Sequence, residues 1–273
     1  MTDRYAVIGN PIAQSKSPLI HGMYAQATGQ DIEYTRIEGA LGGFKDAVDA
    51  FRAAGGRGMN VTAPFKLDAF AYANEWSEDA RLAGAANALK FEGDRVLAQN
   101  FDGIGLVRDV VHNLHCPLAG QRVLILGAGG ATRGALRPFL AEMPAVLFIA
   151  NRTVEKAHAL ARSVAGQGPI ESGGYADLAG RSFDVVFNAT SASLRTELPP
   201  VPADVFAEAV LAYELAYGKG LTPFLRMARD AGVKQCADGV GMLAEQAAEA
   251  FEWWRGVRPD TRAVIEALTV PLV

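Results

Sequence analysis

A glycine-rich turn between a predicted strand and a predicted helix restricts the fold of this chain more than any other feature. Four consecutive apolar residues at 123–126 precede the turn Gly127-Ala-Gly129-Gly130, and a helical pattern runs from 131 to 143. The first glycine allows a tight turn, the second lets a pyrophosphate approach the backbone, and the N–H groups of the helix N-terminus face the anion. This order of strand, turn and helix predicts a dinucleotide-binding site. The alternative is a turn with a structural role only.

The rest of the chain alternates short β-branched runs with longer helical patterns. Such alternation predicts an α/β fold with parallel sheets covered by helices, and 273 residues favour two domains. We expect an N-terminal α/β domain over 1–104, completed by C-terminal helices within 240–273, and a Rossmann-like nucleotide-binding domain over 105–239. A cleft between the domains is the expected place for a ligand. The predicted strands are 5–9, 34–37, 58–61, 123–127, 146–151, 185–188 and 211–215.

Charge, cysteine content and hydropathy disfavour several other classes of protein. The formal net charge is −4 and no block of like charge occurs, which disfavours a nucleic-acid partner. No apolar run reaches the roughly 20 residues that cross a bilayer, and the acidic N-terminal stretch does not fit a signal peptide. The cysteines indicate free thiols, and the histidines lack the spacing of metal ligands. We therefore expect a cytoplasmic protein with no metal.

A cationic segment follows the second strand of the predicted nucleotide-binding unit. Asn151, Arg152 and Thr153 end this strand, and Lys156 comes one turn later. An NAD-selective site usually has an acidic residue here, which binds the ribose 2′-hydroxyl. A guanidinium beside a hydroxyl instead suits a 2′-phosphate, through charge-assisted hydrogen bonds. The segment predicts NADP rather than NAD, unless Arg152 is only a solvated surface charge.

Polar clusters follow the predicted strands of the N-terminal domain. Ser15 and Ser17 can direct two hydroxyls at one small acceptor such as a carboxylate, although Ser17 also suits a helix N-cap. Lys66 follows the strand at 58–61, on the edge where α/β sheets bind ligands. Each residue alone fits a surface or turn role. The combination of Lys66 with Asn87 and Asp102 predicts acid–base chemistry.

Together these segments resemble one enzyme family. The motifs GNPIxxSxSP, NVTxPFK, AGAxN, the Asn-x-Asp-Gly of Asn100 to Gly103, GAGGAxRG, NRT, NAT and ADGxGML occur in the order found in shikimate dehydrogenases. The resemblance implies a two-domain enzyme that interconverts 3-dehydroshikimate and shikimate with NADP(H), in aromatic amino-acid biosynthesis, with Lys66 and Asp102 as the catalytic pair. The family includes monomers and homodimers, and we expect a monomer.

The resemblance also implies the binding residues. Ser15 and Ser17 would hold the substrate carboxylate. The residues implied to surround the ring are Thr62, Asn87, Asp102, Tyr217 and Gln246. The residues implied to bind the cofactor are Gly127, Gly129, Gly130 and Ala131 at the pyrophosphate, Asn151, Arg152, Thr153 and Lys156 at the 2′-phosphate, Thr190 and Leu215 near the ribose and nicotinamide, and Gly239 and Met242 near the ring.

One departure from the family pattern falls inside the predicted substrate site. Phe101 stands where the family usually has threonine beside the catalytic aspartate. Loss of a hydroxyl partner costs about 1–3 kcal/mol, which predicts weakened shikimate use or a related substrate such as quinate or another hydroxylated cyclic acid. The alternative is a ring that points into the core and matters little. A further alternative is a non-catalytic NADP-binding regulator, which would have no need of Lys66 and Asp102.

Overall fold

Alternating strands and helices build two six-stranded sheets in this computed structural model, which describes residues 2–192 and 197–273. The chain divides into two compact units. Unit 1 comprises Met1–Gly105 and Ala244–Val264, and unit 2 comprises Leu106–Leu243 and Ile265–Val273. The expectation that 265–273 completes the first domain is wrong, because Leu272 packs against the core of unit 2 and its carbonyl accepts from Arg229.

The strands are β1 Asp3–Gly9, β2 Ile32–Glu38, β3 Gly56–Val61, β4 Glu75–Trp76, β5 Ala88–Glu92, β6 Arg95–Gln99, β7 Arg122–Leu126, β8 Val146–Ala150, β9 Ile170–Gly173, β10 Val185–Asn188, β11 Leu211–Glu214 and β12 Gln235–Asp238. The α-helices are α1 Ser17–Thr28, α2 Phe44–Ala53, α3 Lys66–Tyr72, α4 Glu78–Ala83, α5 Asp102–Arg108, α6 Gly130–Ala141, α7 Val154–Ser163, α8 Pro223–Asp230, α9 Val240–Arg255 and α10 Arg262–Leu268. A π-helical turn, Asp109–Asn113, continues α5. Among the described residues, no helix is long and apolar enough to cross a membrane.

The sheet of unit 1 has the order β2-β1-β3-β5-β6-β4 and is mixed. β1 runs parallel to β2 and β3, whereas β5 runs antiparallel to both β3 and β6. The predicted parallel pairing holds for β1 with β2 and β3, whereas β5 departs from it. β5 and β6 form a hairpin around Gly93, whose φ of 62° suits a two-residue turn, and no helix separates the two strands. The Gly-Asp dipeptide at 93–94 was the available signal for this hairpin.

The sheet of unit 2 is parallel throughout, with the order β12-β11-β10-β7-β8-β9. Counted from β7, this is the Rossmann order, in which the strand sequence reverses between the first and fourth strands. The four predicted strands of this unit are confirmed to within one residue at each end, and β9 and β12 were missed. Both missed strands lie at the edges of the sheet and are only four residues long. Because all the strands of this sheet are parallel, the loops that follow them lie at the same edge, the one formed by the carboxyl ends of the strands.

Candidate active site

Lys66 and Asp102 lie in direct contact, although 36 positions separate them in the chain. Lys66 begins α3 after the loop that leaves β3, and Asp102 begins α5 after β6. The Lys66 Nζ donates to Asp102 Oδ2 at 2.5 Å. The lysine side chain is 35% exposed and the aspartate 15%, so the pair is reachable from outside and largely desolvated on the carboxylate side. Such a pair can exchange a proton with a substrate hydroxyl.

Two amide side chains hold the aspartate in place. Asn87 Nδ2 donates to Asp102 Oδ1 at 2.8 Å and lies 3.3 Å from the side-chain oxygen of Gln246 in α9. Asn100 is buried, accepts from the Asp102 backbone N–H at 3.1 Å and donates to the Ala85 carbonyl at 3.1 Å. The structure thus brings four predicted residues together, namely Lys66, Asn87, Asp102 and Gln246. Asn100 was not predicted as a site residue, although it opens the same short motif as Asp102.

The two predicted serines lie together at the start of α1. Ser15 Oγ donates to Ser17 Oγ at 3.2 Å and accepts from the Ser17 backbone N–H at 3.3 Å. Lys16 occupies the N-cap of α1, so the alternative that Ser17 is a plain N-cap residue is wrong. Thr62 follows the neighbouring strand β3, and its backbone N–H donates to the Ile8 carbonyl at 3.0 Å. The three hydroxyl residues therefore follow adjacent strands at their carboxyl ends.

The Phe101 ring lies in the core of unit 1. It is 4% exposed and belongs to a buried cluster with Tyr5, Ala88, Ala250 and Trp254. Its ring also meets Trp253 edge-on at 5.7 Å. The backbone N–H, rather than the side chain, serves the site by donating to Asn87 Oδ1 at 2.9 Å. This packing favours the alternative of a core residue over a side chain that contacts the substrate.

A buried histidine with no role assigned from the sequence is linked to the same site through Asn60 and Asn87. His21 is fully buried and stacks on Tyr34 at 4.2 Å. Its Nε2 lies 3.0 Å from Asn60 Oδ1, which also accepts from the Tyr34 hydroxyl at 2.6 Å. Asn60 Nδ2 in turn donates to the Asn87 carbonyl at 3.3 Å. Burial lowers the pKa of His21 from 6.5 to about 3, so the ring is neutral and its Nε2 donates.

In unit 2, a cavity of about 410 Å³ opens beside the glycine turn. It lies at the carboxyl ends of β7, β8 and β10, which is where Rossmann sheets bind nucleotides. The predicted cofactor residues that line it are Gly127, Gly129, Asn151, Arg152, Thr153, Lys156 and Thr190. Sequence reasoning missed Tyr175 after β9, and Ser191 and Ala192 directly after the NAT motif, because none of them carries a glycine or charge pattern.

The glycines of the turn differ in what they require. Gly127 has φ 108°, and a Cβ there would meet the Ala189 carbonyl oxygen at 3.0 Å, so backbone geometry demands glycine. A Cβ on Gly129 or Gly130 would meet nothing within 4 Å. These two positions border open space, which fits a close approach of a pyrophosphate to the backbone. The residues of the cavity therefore fit a dinucleotide, and the two cations at 152 and 156 fit an additional phosphate.

The remaining predicted cofactor residues lie outside the lining of this cavity. A Cβ on Gly239 would lie 2.2 Å from the Leu215 carbonyl oxygen, so the ends of β11 and β12 meet closely. The Met242 N–H donates to the Tyr213 hydroxyl at 3.3 Å, at the start of α9. Gly130 and Ala131 begin α6.

Tyr217, which was predicted to lie beside the substrate, follows β11 and is 44% exposed.

Comparison with known proteins identifies relatives along the whole chain. Family models match as "Shikimate dehydrogenase substrate binding domain" at residues 7–89, "Shikimate / quinate 5-dehydrogenase" at 109–196 and "Shikimate 5'-dehydrogenase C-terminal domain" at 239–269. A shikimate dehydrogenase (NADP⁺) of Chromobacterium violaceum is 57% identical, over 98% of each chain.

Solved structures are similar over the same length. An Ael1 enzyme of Pseudomonas putida is 63% identical, with a TM-score of 0.98 over 100% of both chains. A shikimate 5-dehydrogenase of Thermus thermophilus, in complex with NADP(H) and shikimate, is 31% identical, with a TM-score of 0.85 over 98% of both chains. A 5-ketofructose reductase of a Gluconobacter strain is 26% identical, with a TM-score of 0.86 over 98% of both chains.

A parallel Rossmann sheet with a glycine-turn cavity, joined in one chain to a mixed α/β unit, defines a two-domain dinucleotide-dependent oxidoreductase. The motif order in the sequence and the 57% identity to a shikimate dehydrogenase (NADP⁺) narrow this class to one family. The chain belongs to the shikimate dehydrogenase family.

Proposed function

We propose that this protein catalyses the reversible, NADP-dependent reduction of 3-dehydroshikimate to shikimate. The contact between Lys66 and Asp102, braced by Asn87, is the observation that carries the proposal. A protein that only bound the dinucleotide would have no use for a partly exposed lysine–carboxylate pair in the other unit. This pair therefore argues against the alternative of a non-catalytic regulator.

The chemistry at the pair concerns one proton. In the oxidative direction the ring hydroxyl gives its proton to Lys66 as its carbon becomes a carbonyl. In the reductive direction Lys66 returns a proton to the forming alkoxide. Asp102 orients the amine through its Oδ2, and Asn87 fixes the other carboxylate oxygen. NADP⁺, when bound, supplies the hydride acceptor. Interacting groups titrate as a pair, so we assign the acid–base role to both residues together.

The other predicted roles follow the family pattern and the local geometry. We propose that Ser15 and Ser17 bind the substrate carboxylate, because their hydroxyls are adjacent at the N-terminus of a helix. We assign the ring hydroxyls to Thr62, Asn87, Asp102 and Gln246, and a place beside the substrate to Tyr217. The cytoplasm as compartment and a monomeric or homodimeric state stay predictions.

For the cofactor we propose NADP over NAD. The turn of Gly127, Gly129, Gly130 and Ala131 would bind the pyrophosphate, and the segment from Asn151 to Lys156 would bind the 2′-phosphate. We assign Thr190, Leu215, Gly239 and Met242 to the ribose and nicotinamide. The absence of an acidic residue where β8 ends supports this choice. Comparing kcat/KM for NADPH and NADH tests it, and equal values would refute the preference.

A steady-state assay of NADP⁺ reduction tests the proposed reaction. Shikimate, quinate and an uncharged cyclic polyol are each offered to the wild-type enzyme, and we expect the highest kcat/KM for shikimate. A higher value for quinate would favour the alternative of a paralogue with another cyclic hydroxy acid as its substrate. NADP⁺ binding without turnover of any of them would favour the regulator. The core position of the Phe101 ring supports shikimate as the substrate, because a side chain directed into the core takes no direct part in substrate binding.

A further inference from the structure

Arg36 lies beside the serine pair and belongs to no motif used so far. It is in β2, opposite Val7 of β1 and near the carboxyl end of both strands. Its Nε and Nη2 donate to the Ser15 carbonyl oxygen at 3.1 and 2.7 Å. Two hydrogen bonds from one planar guanidinium to one oxygen fix both partners. Arg36 therefore fixes the position of the Ser15 backbone, and through it the position of the Ser15 hydroxyl.

The charge of Arg36 is not compensated by the protein. Within residues 2–192 and 197–273, neither Arg36 nor the neighbouring Lys16 forms an ion pair. By contrast, Arg4 pairs with Glu33, and this exposed ion pair lies toward the opposite end of the same strands. A chain with a net charge of −4 thus leaves two cations unpaired where two hydroxyls and a helix N-terminus meet. Such a group of donors and cations favours an anion.

We propose that Arg36 makes the enzyme selective for substrates that carry a carboxylate. This inference rests on the proposed function and deepens it, because it explains how the acid is chosen over an uncharged polyol. The fold alone does not make that choice, since a 5-ketofructose reductase, named for an uncharged ketose, shares it. The guanidinium acts in two ways: it positions Ser15 through the carbonyl, and it attracts the carboxylate through its charge.

The test compares an acid with its neutral ester. Shikimate and shikimate methyl ester are assayed with wild type, Arg36→Gln and Arg36→Lys, at saturating NADP⁺. Gln keeps a donor for the Ser15 carbonyl and removes the charge, whereas Lys keeps the charge and loses the planar fork. We expect Arg36→Gln to raise the KM for shikimate about five- to twenty-fold, with the kcat/KM for the ester nearly unchanged. Arg36→Lys should retain most of the preference for the acid.

Salt provides an independent readout. Raising the salt from about 50 mM to about 500 mM shortens the screening length and should raise the KM for shikimate in wild type more than in Arg36→Gln. Arg4→Gln is the matched control, because Arg4 also donates to a backbone carbonyl, that of Ala54, at 2.9 Å. This variant should keep the wild-type KM for shikimate and its salt dependence.

Two outcomes would overturn the inference, and they differ from failure of the proposed function. An equal loss with shikimate and with the ester in Arg36→Gln would mean that Arg36 acts only on the loop. An unchanged KM for shikimate would mean that it has no role. A wild-type enzyme that neither oxidises nor binds shikimate would instead refute the proposed function, and with it the inference, whichever residue stands at 36.

Discussion

At the scale of single residues, the candidate site depends on side chains that hold one another in place. Asp102 is oriented by Asn87 through its Oδ1 and by Asn100 through its backbone N–H, so its Oδ2 faces Lys66. Buried hydrogen-bond networks of this kind keep a catalytic pair in one geometry, because each unsatisfied partner would cost about 1–3 kcal/mol. Removal of one member should therefore change turnover more than binding.

Lys66→Ala tests the proposed catalytic role of the Lys66–Asp102 pair. We expect kcat to fall about 10²- to 10⁴-fold with little change in the KM for shikimate, because general acid–base help is worth that factor. Lys45→Ala is the matched control: Lys45 also pairs with an aspartate, Asp49, at 2.5 Å, but on the exposed face of α2. Steady-state kinetics on both variants check this. A near wild-type kcat for Lys66→Ala would remove this lysine from the mechanism.

Phe101→Thr tests the packing of Phe101, the residue that differs from the family pattern. The ring fills space between Tyr5, Trp254 and Trp253, so its truncation should leave a cavity and lower the free energy of unfolding by about 3 kcal/mol. Because the ring faces the core, we expect no gain in kcat/KM for shikimate. Phe101→Leu, which keeps most of the volume, should lose about 1 kcal/mol. Denaturant unfolding and kinetics are measured together. A gain in activity without loss of stability would mean that the ring faces the substrate.

At the scale of elements, the two sites lie at the carboxyl ends of strands in their own sheets. The serines lie between β1 and the first residue of α1, and Thr62 and Lys66 lie between β3 and the first residue of α3. The loops after β7 and β8 line the cavity of unit 2. Loops at this edge can vary in sequence because the strands beneath them supply the stability. The glycine turn is the exception. Gly127 is required by its positive φ, and Gly129 leaves space for the proposed pyrophosphate.

The substitutions Gly127→Ala and Gly129→Ala separate those two requirements. Gly127→Ala places a Cβ at a positive φ against the Ala189 carbonyl and should lower the melting temperature, because a left-handed conformation costs about 1–2 kcal/mol. Gly129→Ala meets no protein atom, so the melting temperature should be retained. Its methyl group enters the proposed pyrophosphate position, and the KM for NADP⁺ should rise about ten-fold or more. An unchanged KM for NADP⁺ would contradict the proposed position of the pyrophosphate.

At the scale of the whole molecule, unit 1 depends on two distant parts of the chain. Trp254, in α9, stacks on Tyr5 at 4.8 Å and donates to the Leu89 carbonyl at 3.0 Å. The aromatic cluster around it also contains His21, whose ring is buried without charge. All three tryptophans of the chain, Trp76, Trp253 and Trp254, lie in unit 1. Tryptophan fluorescence therefore reports the unfolding of this unit alone.

The buried histidine predicts how the stability of unit 1 depends on pH. The pKa of His21 falls from 6.5 to about 3 on folding, so below pH 6.5 the unfolded chain binds a proton that the folded chain does not. Stability is complete above the unfolded value and falls by about 1.4 kcal/mol per pH unit beneath it. Between pH 7.5 and pH 5, wild type should lose about 2 kcal/mol more than His21→Gln, which keeps a donor for Asn60. Urea unfolding followed by tryptophan fluorescence checks this. Equal losses in both proteins would contradict a neutral buried His21.

The sequence by itself was sufficient for the elements with strong local signals. The buried strands of unit 2 are short apolar runs, and the glycine turn has a backbone requirement that shows in the residue type, so both could be predicted. The motif order was enough to indicate the family and to predict Lys66 and Asp102 as its catalytic pair. The antiparallel hairpin of β5 and β6 was missed, because its strands mix apolar and charged residues over only five positions each.

Only the tertiary structure decided which side chains meet. Whether the Phe101 ring faces the substrate or the core depends on Trp253 and Trp254, some 150 residues further along the chain. The same holds for Arg36, which reads in the sequence as an ordinary strand-surface charge and becomes significant through the Ser15 carbonyl on the neighbouring loop. Local propensity carries no information about such contacts, because they arise from the packing of strands and helices that are distant in the sequence.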